Sequence, residues 1–156
     1  MKALFTLLVL WVSVFALAQQ PQPVNWTFHL HKDKVTQGYT LEAKGILGQG
    51  WHVFTHNPGG DGLLIPTSLT LDHADKVAEL SEIKSLGKLI TKEMEGVGTV
   101  NYFEHEAAFT LQFKTTTLKS IEGTLSYQLC NDAMCLPPTD VKFTLKIETV
   151  RIHPIL

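Results

Sequence analysis

Cysteine is scarce in this chain: 156 residues hold two, Cys130 and Cys135, so at most one cross-link can form within it. Excess charge of either sign is missing too. A formal net charge of −2 argues against nucleic acid or an anionic membrane surface as partner. No Ser-His-Asp arrangement or phosphate-binding loop stands out, which leaves hydrolase and nucleotide chemistry without support. Seven histidines are present, yet neither a Cys-x2-Cys nor a His-Glu-x-x-His spacing accompanies them. Internal repeats, low-complexity tracts and any sustained helical pattern are absent. Beyond residue 18 there is no second long apolar run.

The first apolar run has a plain reading. Met1-Lys2 precedes Ala3 to Leu17, which holds no acid, and Ala16-Leu17-Ala18 gives a small-x-small cleavage pattern before Gln19. This predicts a secretory signal peptide at 1–18. A retained membrane anchor is the alternative, and the short apolar core and the cleavage pattern argue against it. No cysteine follows the run, so a lipid anchor is not indicated. Residues 19–156 are then expected to form a single domain, exported to the periplasm or secreted. It should be soluble once the signal is removed, monomeric, and not inserted in a membrane. That compartment is oxidising, and a dithiol persists there only if something reduces it.

The exported part alternates. Val24, Trp26, Phe28 and Leu30 share one strand face, with Asn25, Thr27, His29 and His31 on the other. Further strands are predicted around Tyr39 to Ala43, Trp51 to Thr55 and Thr67 to Leu71. Asn57 to Gly62 reads as a loop, and residues 72–89 as an irregular connection with one short strand. Thr99 to Phe103 and Ala107 to Thr115 read as a hairpin turning at Glu104-His105-Glu106. Many short strands at 8–12-residue spacing argue for an all-β sandwich.

The cysteines bracket a four-residue Asn-Asp-Ala-Met segment between two alternating runs. Ile121, Gly123, Leu125, Tyr127 and Leu129 lie before it; Val141, Phe143, Leu145 and Ile147 follow. This predicts a β-hairpin whose flanking residues oppose each other at Cα separations of about 4.5–5.5 Å. That lies within the range a disulfide bridges. A ring this small stabilises by only about 2 kcal/mol, against about 4.7 for a hundred-residue loop. By parity Cys130 belongs with Glu122, Thr124, Ser126 and Gln128, so it should point away from the main core, toward solvent or a covering loop. A small, accessible ring suits thiol exchange. From these residues alone, a structural bond and a redox-active one stand level.

The stretch Tyr127-Gln128-Leu129-Cys130-Asn131-Asp132-Ala133-Met134-Cys135-Leu136-Pro137-Pro138 resembles the active-site hairpin of the amino-terminal periplasmic domain of DsbD, the thiol:disulfide interchange protein. It is most similar to versions with Cys-x4-Cys followed by Leu-Pro-Pro. The resemblance extends more faintly to Gly50-Trp51-His52-Val53-Phe54 and Tyr102-Phe103-Glu104. It implies an immunoglobulin-like β-sandwich that relays electrons from a thioredoxin-like reductant to oxidised periplasmic proteins. It also implies catalytic roles for Cys135, the attacking thiol, and Cys130, its partner. The family's aromatic-bearing cap loop corresponds to residues 92–98, where Glu95 stands near the place of the expected Phe. Met94 is left to cover a sulfur, and Glu93, Glu95 and Asp132 are the acids that would hold the thiol pKa up. The family protein also carries a membrane segment and a thioredoxin-like domain. Neither is encoded in these residues, so the reductant is expected on a separate chain.

No cofactor or resident metal is expected. Two readings of other classes stay open. One is a non-catalytic binding sandwich with a structural disulfide. The other is a periplasmic copper module in which Cys130, Met134 and Cys135 supply soft ligands for Cu(I).

Overall fold

Period-two alternation of apolar and polar residues becomes eleven β-strands among residues 23–147, which the structure, a computed structural model, describes. The expected signal peptide at 1–18 lies outside the described residues. The strands are β1 (Val24–Lys32), β2 (Tyr39–Leu47), β3 (His52–Gly59), β4 (Ser68–Leu71), β5 (Lys84–Leu86) and β6 (Ile90–Met94). They continue with β7 (Gly98–Glu104), β8 (Glu106–Phe113), β9 (Ser120–Tyr127), β10 (Leu129–Cys130) and β11 (Thr139–Lys146). All pairings are antiparallel. They make a first sheet β1-β2-β8-β5, a second β10-β3-β7-β6 and a third β11-β9-β4. One 3-10 turn, Ala74–Lys76, interrupts the irregular connection that leads to β5.

The main core takes the inward residues of all three sheets: Leu41, Ala43 and Phe109 from the first, Val53, Phe103 and Leu129 from the second, Leu125, Tyr127 and Phe143 from the third. Burying each large apolar side chain contributes about 1.5–3 kcal/mol. Aromatic pairs tie the first sheet to the other two. Phe28 stacks on Phe143 at 4.7 Å, Trp26 tilts against Tyr127 at 5.2 Å, and Phe103 meets Phe109 edge-on at 6.3 Å. Trp26 reaches this position because its cross-strand partner is Gly45. A Cβ there would lie 2.6 Å from the indole. The result is the all-β, sandwich-like arrangement expected from the strand spacing.

Three expectations need correction. Residues 99–103 and 107–115 do not form a hairpin: β7 pairs with β3 and β6, while β8 pairs with β2 and β5. His105 sits between them at φ +64°, and its carbonyl accepts the Leu47 N–H at 2.8 Å. The chain therefore changes sheet at a one-residue corner, too short for a turn that would fold β8 back on β7. Secondly, β3 runs on through Asn57-Pro58-Gly59 with a register shift after Phe54, where a loop was expected. Thirdly, the cysteine ribbon is not one continuous hairpin. Its base is β9 with β11, in register from Ser120↔Lys146 to Tyr127↔Thr139. Its tip leaves that sheet at Gln128 and joins the second sheet as β10, where Leu129 opposes Val53 and Cys130 opposes His52.

Candidate functional site: a disulfide at the border of the second sheet

The tip is built by its own sequence. The Asn131 carboxamide oxygen accepts the N–H groups of Ala133 and Met134 at 2.9 and 2.8 Å. The Asn131 N–H donates to the Met134 carbonyl at 2.9 Å. An Asn side chain can stand in for backbone in this way and so closes a tight turn. Below the turn, Leu136 N–H donates to the Leu129 carbonyl at 2.8 Å. These two backbone bonds bracket Cys130 and Cys135, which form an isolated antiparallel bridge between them. Such a narrow, non-hydrogen-bonded pair brings opposed side chains closest. The sulfurs are bonded as a disulfide across a Cα separation of 4.0 Å. Pro137 and Pro138 have no N–H to continue the ladder, and the chain returns to the third sheet at Thr139.

The two sulfurs have unlike surroundings. Leu129 goes into the main core beside Val53, so Cys130 must face the other side of the second sheet. That side is not open. Cys130 is 2% exposed within a second cluster that includes Phe54, Val100 and Tyr102, with Leu64, Ile90, Met94 and Val97 packed against it. Cys135 is exposed, and so is its neighbour Met134, at 55%. The expectation that Cys130 points away from the main core agrees with this placement; the sulfur lies in a second apolar cluster and not in solvent. An accessible ring describes Cys135 alone.

The β6–β7 turn adds side chains to this cluster. Met94 and Val97 lie at its two ends, and the Val97 N–H donates to the Met94 carbonyl at 3.1 Å. Gly96, at φ +76°, supplies the left-handed residue that closes the turn. The four residues named from sequence as cap or pKa-tuning groups occupy different places. Met94 is half-buried on the Cys130 cluster. Glu93 pairs with Thr99, whose hydroxyl donates to its carboxylate at 2.6 Å, on the face of the sheet opposite Cys130. Glu95 is exposed in the turn, and Asp132 is exposed at the ribbon tip.

Sequence reasoning gave no redox role to His52 and Glu104. Both lie on the Cys130 face: Cys130 opposes His52 across β10 and β3, and His52 opposes Glu104 across β3 and β7. The imidazole is half-buried, 4.5 Å from the Tyr102 ring and edge-on to Phe54 at 5.6 Å. Burial holds its pKa below the ordinary 6.5; Glu104 and then Asp132 pull upward against it, and Lys92 pushes further down. His52 and Phe54 share a face of β3, but a single sequence does not say which strand lies alongside.

Among the described residues no group of three or more His, Cys, Asp or Glu side chains is placed to hold a metal ion. His29 and His31, which share one face of β1, stack at 6.1 Å. Among the same residues no helix is long and apolar enough to cross a membrane.

Comparison with known proteins bears on the whole of this architecture. A search of the curated proteins finds no match. Solved structures share the fold. The N-terminal periplasmic domain of ScsB from Proteus mirabilis superposes with a TM-score of 0.59 at 16% identity, over 79% of this chain and 46% of that one. This chain thus spans about half the length of that relative. The reduced N-terminal domain of DsbD from Neisseria meningitidis gives 0.54 at 19% identity, over 80% and 86%. The DsbD N-terminal domain in complex with the PilB N-terminal domain, also from Neisseria meningitidis, gives 0.55 at 16%, over 78% and 80%. The sequence itself matches the family described as "Thiol:disulfide interchange protein DsbD, N-terminal" over residues 18–147. The chain belongs to the DsbD N-terminal domain family.

Proposed function

We propose that the chain is a periplasmic thiol:disulfide exchange domain. It takes electrons from a thioredoxin-like protein on a separate chain and passes them to oxidised periplasmic proteins through Cys130 and Cys135. The observation that carries this reading is the asymmetry of the bridge, with one sulfur on an exposed residue at a ribbon tip and the other under an apolar cover. A bond placed for stability alone would close a longer loop, since a ring of this size contributes about 2 kcal/mol. Family membership and the fold support the same chemistry. One relative of this fold was solved together with a second protein domain, which supports a partner on another chain.

Exchange proceeds in balanced steps. A donor thiolate attacks the exposed Cys135 sulfur, the Cys130–Cys135 bond breaks, and Cys130 leaves with the electron pair and takes up a proton. The donor's second thiolate then displaces Cys135, leaving the donor oxidised and this chain as a dithiol. Toward the substrate the sequence reverses. Cys135 thiolate attacks the substrate disulfide, and Cys130 attacks Cys135 to release the substrate's thiols and restore the bridge.

Removing the resolving sulfur tests the assignment. A Cys130→Ser variant exported to a bacterial periplasm should accumulate mixed disulfides through Cys135, seen on non-reducing gels after acid quench and alkylation. Cys135→Ser should trap far less, because its remaining thiol is covered. Equal absence of adducts from both variants would return the pair to a purely structural role.

A further inference from the structure

The strand register places three reactive side chains in one row across three neighbouring strands: Cys130 on β10, His52 on β3 and Glu104 on β7. Directly opposed residues on one face have Cβ atoms about 4.5–5.5 Å apart, within reach of an imidazole. Thiol, imidazole and carboxylate in that order supply a nucleophile, a base and a negative charge beside the base. We propose that His52 accepts the proton of Cys130 when that thiol closes the bridge, and that the negative charge of Glu104 stabilises the imidazolium that results. This rests on the reading of Cys130 and Cys135 as the exchange pair.

The need for such a base follows from the burial of Cys130. In the mixed disulfide Cys130 is a thiol in an apolar cluster, where burial disfavours the thiolate required for attack. Water has little access to it. His52 is the titratable residue set opposite, and its ring is steadied by Tyr102 and Phe54. The charged groups around it come from three elements: Glu104 on β7, Lys92 on β6 and Asp132 at the ribbon tip. Burial is the largest influence and keeps the imidazole neutral at neutral pH, the form that can accept a proton. The step balances. The S–H bond of Cys130 breaks as a N–H bond forms on His52, the new S–S bond forms to Cys135, and the substrate sulfur departs with the electron pair.

The two thiols can be followed separately with 5,5′-dithiobis(2-nitrobenzoic acid), which releases one coloured thiolate when Cys135 attacks and a second when Cys130 closes the bridge. In reduced His52→Phe, which keeps an aromatic ring against Tyr102, the first phase should stay within about twofold of the parent. The second should slow by about tenfold or more at pH 7, the smaller end of what a positioned base contributes. The pH profile separates a base from a packing residue. The parent's second phase should be level between pH 7 and 8, whereas the variant's should rise about tenfold per unit across that range, as for a thiol that must first ionise and whose pKa burial holds above the ordinary value. Glu104→Gln, which keeps His52 in place, should slow the second phase severalfold and leave the first alone. An unchanged second phase and profile in both variants would overturn the proposal and leave the exchange reading standing. A parent that releases only one thiolate and never closes its bridge would remove both.

Discussion

At the scale of single residues, several positions act through what they leave out. Gly123 on β9 lies between Leu71 of β4 and Phe143 of β11. A Cβ there would fall 2.1 Å from the Thr70 carbonyl oxygen and 2.7 Å from the Phe143 ring. Backbone on one side and a core aromatic on the other leave nothing that can move cheaply. Gly123→Ala should therefore destabilise by about 2–3 kcal/mol, the upper part of the range for overpacking. Urea denaturation against the parent measures it, with the midpoint expected to fall and the slope to hold. The third sheet also stacks Phe143 on Phe28, so the loss should be global. Thr67 works in the opposite sense, adding a hydroxyl to a fully covered place. It donates to the Phe54 carbonyl at 2.6 Å, beside the point where β3 changes register. That bond gives a buried carbonyl a partner where the ladder loses its regular register.

At the scale of elements, the β6–β7 turn and Cys130 of the ribbon belong to one apolar cluster, without backbone pairing between them. Met94 and Val97 join that cluster as side chains only, which makes their part separable from the rest of the sheet. Met94→Ala should leave the strands intact and loosen the cluster that buries Cys130. Reduction of the bridge by dithiothreitol should then speed up severalfold, read by alkylation and mass spectrometry, at a stability cost of about 1–2 kcal/mol for a half-buried methionine. Much of this element structure was legible in the sequence. The alternation of Val24 to Leu30, of Ile121 to Leu129 and of Val141 to Ile147 gives β1, β9 and β11 their buried faces. Parity alone put Cys130 outside the main core. The two corners were not legible, because period-two alternation can run straight through a change of sheet. At Gln128 the pattern continues while the partner strand changes, and at His105 the break in the pattern looks the same whether the chain turns back or changes sheet. Which strands become neighbours is decided by packing of the whole chain, and that hid the row of Cys130, His52 and Glu104.

At the scale of the molecule, that row links folding to acidity. The folded protein holds the His52 pKa below 6.5, the value it regains on unfolding. Between those two values the unfolded chain binds more protons, so folding stability falls as the pH drops below 6.5 and levels off beneath the folded pKa. Above 6.5 the contribution is complete. Denaturation midpoints at pH 7.5, 6.5 and 5.5 should show the decline, and His52→Phe should remove its part of the slope. A slope that rose toward acid would contradict the assigned direction.

The brevity of β10 has a consequence for how the molecule lives among its own copies. The border of a sheet is ordinarily a template on which a stranger's strand can grow. Here that border is two residues long, its outward carbonyl at Leu129 already receives the Leu136 amide, and two prolines follow at once. The chain can thus hold out a chemically eager atom at its rim without offering the hydrogen-bonding rail along which identical molecules would zip into fibres.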